Sequence, residues 1–302
     1  MSRIAFLFPG QGAQYVGMGQ ELYNTIPEAK RLFDEATEIL GYDLREVCEI
    51  GPEERLNSTK VSQPAIFVAS LAALEKLRTQ EGNPETECVA TAGLSLGEYT
   101  SLVFAGAMTF ADGLRLVQRR GEAMQEAADA TASGMVSVLG LEVEKLEQVC
   151  QQASEKGIVK IANLLCPGNI VVSGVEETLT EVEKRASEAG AMKCIRLAVA
   201  GAFHTELMKP ADERLAEALA KADIQKPRIP VWSNVDAKPH SDPAEIRELL
   251  VQQVLNPVLW EQTIRNLIAD GVEEFYELGP KRVLAGLIKR VERKRKCTII
   301  EA

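Results

Sequence analysis

The spacing in Gly93-Leu94-Ser95-Leu96-Gly97 is the first in this chain that suggests a reaction. A serine with glycine two residues to either side matches the nucleophile elbow, a turn so tight that the hydroxyl is presented at a helix N-terminus. Backbone N–H groups and the helix dipole there favour a developing negative charge, as acyl transfer through an oxyanion requires. A serine hydroxyl also needs a base. The chain holds two histidines. His204 lies in Ala202-Phe203-His204-Thr205, whereas His240 sits in Lys238-Pro239-His240-Ser241-Asp242-Pro243, a turn-rich stretch expected at the surface. His204 is therefore the expected base for Ser95. A backbone carbonyl can orient an imidazole as a carboxylate does, so no Asp or Glu partner is obligatory.

Arg119-Arg120-Gly121 follows the serine on a helix expected over 111–128. Two adjacent helical positions point in different directions, so at least one of these arginines is solvated. A guanidinium facing the serine would bind a substrate carboxylate through two parallel hydrogen bonds, a geometry lysine does not reproduce. An acyl group with a free carboxylate is then implied.

These residues need elements to hold them. Residues 3–8 read as a short buried strand running into the loop Pro9-Gly10-Gln11-Gly12, and helical patterns then dominate to about residue 82. A second strand over 87–92 leads into the serine turn and a helix from Glu98 through Phe104. The middle of the chain has another rhythm: strand 135–140, helix 142–156, strands 159–162 and 170–173, helix 176–189 and strand 192–199. That β-α-β-β-α-β order is ferredoxin-like. The expected fold class is α/β, with residues 1–129 and 200–302 forming a larger body and residues 130–199 an inserted small subdomain.

Composition narrows the function classes. A chain of 302 residues, 46% hydrophobic and 26% charged, can bury a sizeable core. No apolar stretch approaches a membrane span of roughly 20 residues. The net charge of −10 argues against a nucleic-acid surface. Six cysteines without a C-x-x-C pair suggest neither a disulfide framework nor a zinc knuckle and fit a reducing compartment. Neither a metal nor a cofactor is expected. From Lys281 to Lys296, eight basic residues stand against one acid, Glu292, as a solvated helix face with a charged tail or as a dock for an acidic partner.

Seven blocks, taken together, resemble the malonyl-CoA:acyl carrier protein transacylases: Pro9-Gly10-Gln11-Gly12, Gly93-Leu94-Ser95-Leu96-Gly97-Glu98-Tyr99, Arg120-Gly121, Gly201-Ala202-Phe203-His204, Ser233-Asn234-Val235-Asp236, Asn256-Pro257-Val258-x-Trp260 and Glu277-Leu278-Gly279-Pro280. They run in that family's order along nearly the whole chain. The resemblance implies a hydrolase-like α/β body with a ferredoxin-like insertion. It also implies ping-pong transfer of malonyl from malonyl-CoA to the phosphopantetheine thiol of acyl carrier protein, supplying extender units for fatty-acid synthesis. Ser95 would carry the acyl group, His204 would relay protons and Arg120 would bind the malonyl carboxylate. The backbone N–H groups of Gln11 and Leu96 would form the oxyanion hole, and the carbonyl at Gln253 would orient the imidazole. The implied partners are malonyl-CoA and acyl carrier protein, with no nucleic acid and no membrane, in the cytoplasm or a plastid stroma.

Two positions depart from the commonest pattern of that family. Leu94 stands where most members have histidine, and Asn163-Leu164-Leu165-Cys166-Pro167-Gly168-Asn169 replaces an asparagine-rich loop. Phe203 resembles malonyl-selective members, since a bulky ring leaves little room for an α-methyl group. Two other classes share parts of this pattern. A serine hydrolase would use the elbow and base without the arginine, and a non-catalytic carrier-binding subunit would form no acyl-enzyme.

Overall fold

The computed structural model describes residues 3–302. Its ten strands, in chain order, are β1 (Ile4–Phe8), β2 (Cys88–Gly93), β3 (Ser133–Leu139), β4 (Val159–Cys166), β5 (Asn169–Val175), β6 (Lys193–Arg196), β7 (Val231–Trp232), β8 (Pro239–His240), β9 (Glu274–Gly279) and β10 (Lys296–Glu301). They form a six-stranded sheet in the order β10-β9-β1-β2-β7-β8 and a four-stranded sheet in the order β4-β5-β3-β6. The first is parallel except for the β7–β8 pair, and the second is antiparallel throughout.

All five residues of β1 are buried, as expected for a central strand of a parallel sheet covered on both faces. Its alternation divides the core. Ile4, Phe6 and Phe8 face the larger apolar cluster with helices Pro27–Leu40, Thr59–Arg78 and Phe110–Asp129, whereas Ala5 and Leu7 face the cluster of Trp232, Trp260, Phe275 and Ile288. The four-stranded sheet repeats this logic. Val136 and Val138 pack with Leu146, Val149, Leu179 and Val182 of its own two helices, while Met135, Ala162 and Val171 join the larger core.

Two stretches differ from the sequence reading. β4 continues to Cys166 instead of ending at residue 162, leaving only Pro167-Gly168 as the turn into β5. Register irregularities between Ile161 and Asn163 and between Leu164 and Cys166 let the strand continue along β5. They also free main-chain groups for residue 258: Val258 N–H donates to the Ala162 carbonyl at 2.8 Å, and Leu164 N–H donates to the Val258 carbonyl at 2.9 Å. β6 is shorter than 192–199, because the chain beyond Arg196 leaves the ladder toward Gly201 after one further bond, Leu197 N–H to the Met135 carbonyl.

Candidate active site

β2 ends at Gly93, paired with Phe8 at the C-terminal end of β1. The turn that follows is held by close packing and by side-chain amides. A Cβ on Gly93 would overlap the Gly97 carbonyl, and one on Gly97 would overlap that of Phe8, so side chains are excluded at both positions. Ser95 itself takes φ 50°, a left-handed conformation. Asn234 bridges the turn: its Oδ1 accepts from Ser95 N–H at 2.6 Å and its Nδ2 donates to the Gly93 carbonyl at 2.8 Å. Helix Gly97–Phe104 begins at once, with Leu96 fully buried at its N-terminus.

His204 also has positive φ, 62°, and is 3% exposed. Its Nε2 lies 3.1 Å from Ser95 Oγ and its Nδ1 lies 2.9 Å from the backbone carbonyl of Gln253. A carbonyl only accepts, so Nδ1 carries the proton and Nε2 is left to accept from the serine hydroxyl. Burial, and then the nearby Arg120 charge, push the imidazole down to about 4. It is neutral at neutral pH, the form a base requires.

The two adjacent arginines separate cleanly. Arg119 leaves 72% of its side chain in solvent, paired with Glu122 at 3.5 Å. Arg120 is 1% exposed. Its Nη2 donates to Ser95 Oγ at 2.9 Å and to Gln253 Oε1 at 3.0 Å, and its Nη1 donates to Gln63 Oε1 at 2.8 Å. Gly121 makes this approach possible, since a Cβ there would meet the Thr59 carbonyl at 2.9 Å on the helix that carries Gln63. Arg120 Nε is buried with no acceptor among the described residues.

Gln11 lies in the turn after β1, a loop tied to the elbow by Leu94 N–H donating to the Phe8 carbonyl at 3.0 Å. Gly10 permits that contact, because a Cβ there would overlap the Leu94 carbonyl. Lys281 Nζ donates to the Gly12 carbonyl at 3.1 Å. Among the described residues, neither the Gln11 nor the Leu96 backbone N–H donates within the chain.

His240 lies apart from this site. It is the second residue of β8 rather than part of an exposed turn, with its side chain 15% exposed between Asp236 and Glu245. The two carboxylates draw the ring in. Four further side chains at the site had no function assigned from sequence: Gln63, Glu98, Asn234 and the Gln253 amide. Glu98 and Asn234 stand inside motif blocks that say nothing of what they touch. Gln63 gave one usable signal, an amide in the run Val61–Ala73, whose other polar side chains are only Ser62 and Ser70, and a buried polar group requires a partner.

Comparison with known proteins follows this geometry. Residues 5–300 match the family model described as the acyl transferase domain. The chain is 47% identical over 297 residues to the malonyl CoA-acyl carrier protein transacylase of Bacillus subtilis, covering 98% of this chain and 92% of that protein. It is 45% identical to the mitochondrial malonyl-CoA-acyl carrier protein transacylase of Homo sapiens, over 94% of this chain and 75% of that one. Among solved structures, that of the malonyl CoA-acyl carrier protein transacylase from Coxiella burnetii superposes with TM-score 0.95 at 37% identity, covering 99% of this chain and 94% of that chain. A malonyl-transacylase solved in complex with a type II PKS acyl-carrier protein also gives TM-score 0.95 at 37% identity, covering 100% of this chain and 97% of that chain.

Proposed function

This chain belongs to the acyl transferase family, among its malonyl-CoA-acyl carrier protein transacylases, and from that membership and the site geometry we propose how its residues divide the work. The enzyme moves malonyl from malonyl-CoA to the phosphopantetheine thiol of acyl carrier protein through a malonyl-serine intermediate. In the first half-reaction Ser95 Oγ attacks the thioester carbonyl as its proton passes to His204 Nε2. The Gln11 and Leu96 N–H groups receive the oxyanion. The tetrahedral adduct then expels the coenzyme A thiolate, which takes the proton from His204. In the second half-reaction the carrier thiol gives its proton to His204 and attacks malonyl-Ser95, and the serine oxygen leaves and is reprotonated.

The observation that carries this reading is Arg120, a buried guanidinium hydrogen-bonded to the nucleophile itself. A hydrolase of simple esters has no use for a desolvated cation there. An acyl group ending in a carboxylate does. We assign residues 1–129 and 200–302 to the body, residues 1–2 lying outside the described residues, and 130–199 to the inserted subdomain. Supply of extender units for fatty-acid synthesis in the cytoplasm is the physiological setting we assign. Among the described residues no helix is long and apolar enough to cross a membrane.

Intact mass spectrometry after incubation with malonyl-CoA, acetyl-CoA and methylmalonyl-CoA in turn tests the proposal. Ser95→Ala abolishes the malonyl adduct, and His204→Ala slows its formation on the order of 100-fold or more. A normal adduct on Ser95→Ala removes the nucleophile from this account.

A further inference from the structure

Glu98 is 3% exposed, in the first turn of the helix that follows the nucleophile, and the reaction just described makes no use of it. Its Oε2 accepts two hydrogen bonds, from Asn234 N–H at 3.0 Å and from Gln253 Nε2 at 2.7 Å. Gln253 Nε2 also donates to the Ser95 carbonyl at 3.0 Å, while its Oε1 accepts from Arg120 Nη2 at 3.0 Å. A buried acid and a buried cation thus face the two ends of one amide, and among the described residues they form no direct ion pair.

The amide has one satisfied orientation. A guanidinium only donates and a carboxylate only accepts, so Oε1 must turn to Arg120 and Nε2 to Glu98. Without the carboxylate only the Ser95 carbonyl holds Nε2, and one of the two amide N–H groups is left buried with no acceptor. A carboxylate bonded to Arg120 directly would occupy the donors an acyl carboxylate requires. We propose that Glu98 is a positioning residue for acyl selectivity: it orders the Gln253 amide, and through it sets the Arg120 guanidinium against Ser95, while staying one amide away so that the guanidinium remains open to the substrate carboxylate. The Gln253 backbone carbonyl that orients His204 is untouched by side-chain changes at 98 or 253, so selectivity and base function can be separated.

This inference rests on malonyl transfer being the reaction, so the test measures wild type alongside the variants. Rates of acylation by malonyl-CoA and acetyl-CoA are read on the full chain by intact mass. Glu98→Ala and Gln253→Met each lower the malonyl-to-acetyl ratio about 10-fold or more, the size of one lost charge-assisted hydrogen bond. Glu98→Gln still offers a carbonyl oxygen to the same two N–H groups and keeps the ratio within about threefold of wild type. The double variant Glu98→Ala with Gln253→Met falls no further than the worse single change, because both break one chain of contacts.

A folded Glu98→Ala that keeps the wild-type ratio overturns the proposal, as do single effects that multiply in the double variant or an equal loss in Glu98→Gln. Should Glu98→Ala fail to fold, Glu98→Asp replaces it. One methylene shorter, it loses the reach to Gln253 and lowers the ratio; an unchanged ratio overturns the proposal equally. A wild-type enzyme without malonyl preference sinks the functional reading beneath it, whereas a wild-type preference that survives every variant sinks this inference alone.

Discussion

His204 shows how much one orienting atom decides. A carboxylate behind the imidazole would hold its proton and raise its basicity. Here a peptide carbonyl does the orienting at 2.9 Å, and burial together with the Arg120 charge lowers the imidazole to about 4. Lowering leaves the base unprotonated above that value, so acylation rate holds steady as pH falls through 6.5 and declines only as it approaches 4. A stopped-flow profile of acylation across pH 4–8 checks this, and an acid limb centred near 6.5 shows an imidazole in contact with water. At Arg120 the expectation concerns selectivity. Arg120→Ala loses roughly 1.5 to 3 kcal/mol of carboxylate recognition and gains relative acetyl transfer, while Arg119→Ala, exposed and paired with Glu122, behaves as wild type. Competition between malonyl-CoA and acetyl-CoA measures both. Ser95 and His204 stood out as candidates because the chain offers one such serine turn and two histidines, whereas the choice of Arg120 over Arg119 came from the family resemblance, since adjacent helical arginines look alike in sequence. Glu98 and Gln63 did not stand out, since a buried Glu or Gln resembles a solvated one until its neighbours are known.

At the level of elements, the site depends on turns more than on helices or strands. Ser95 and His204 both hold positive φ, and the serine lies between elements that were legible as patterns, β2 before it and the helix Gly97–Phe104 after it. Periodicity located those elements to within a few residues. It missed the extension of β4, because the irregularities that carry the strand to Cys166 serve main-chain bonds to residue 258, a partner distant in sequence. The serine turn is expected to depend on Asn234, whose amide joins Ser95 N–H to the Gly93 carbonyl. Asn234→Leu strands a strained turn and a buried carbonyl, costing about 1 to 3 kcal/mol. Thermal unfolding and acylation rate report it together: both fall, and an unchanged melting temperature shows that the elbow holds without the Asn234 amide.

Across the whole molecule, charge is distributed unevenly. The net charge is −10, yet the helix Val283–Val291 and the turn after it expose Lys289, Arg290, Arg293 and Lys294. Arg290 Nη2 reaches the Pro167 carbonyl at the β4–β5 turn, so this basic face abuts the four-stranded sheet. A small acidic carrier protein approaching an acidic enzyme gains encounter rate from such a patch. Reversing Lys289, Arg290 and Arg293 to Glu raises the KM for carrier protein and flattens its salt dependence, leaving self-acylation from malonyl-CoA unchanged. Transfer measured at two ionic strengths decides it, and identical carrier kinetics would place docking elsewhere.

The seam between the two sheets bears on how such proteins can be recombined. The ends of the four-stranded unit lie together, with Ala202 N–H donating to Ser133 Oγ at 3.2 Å, so a homologous insert would meet a closed pair of splice points. The unit is nonetheless stitched to the body through Val258, whose N–H and carbonyl are both taken by β4. Val258 lies five residues beyond Gln253, the residue that steers the imidazole. An insert exchanged alone would inherit another protein's stitching. A chimera that keeps its activity is one in which residues 256–258 travel with the insert as a second, non-contiguous piece of the same module.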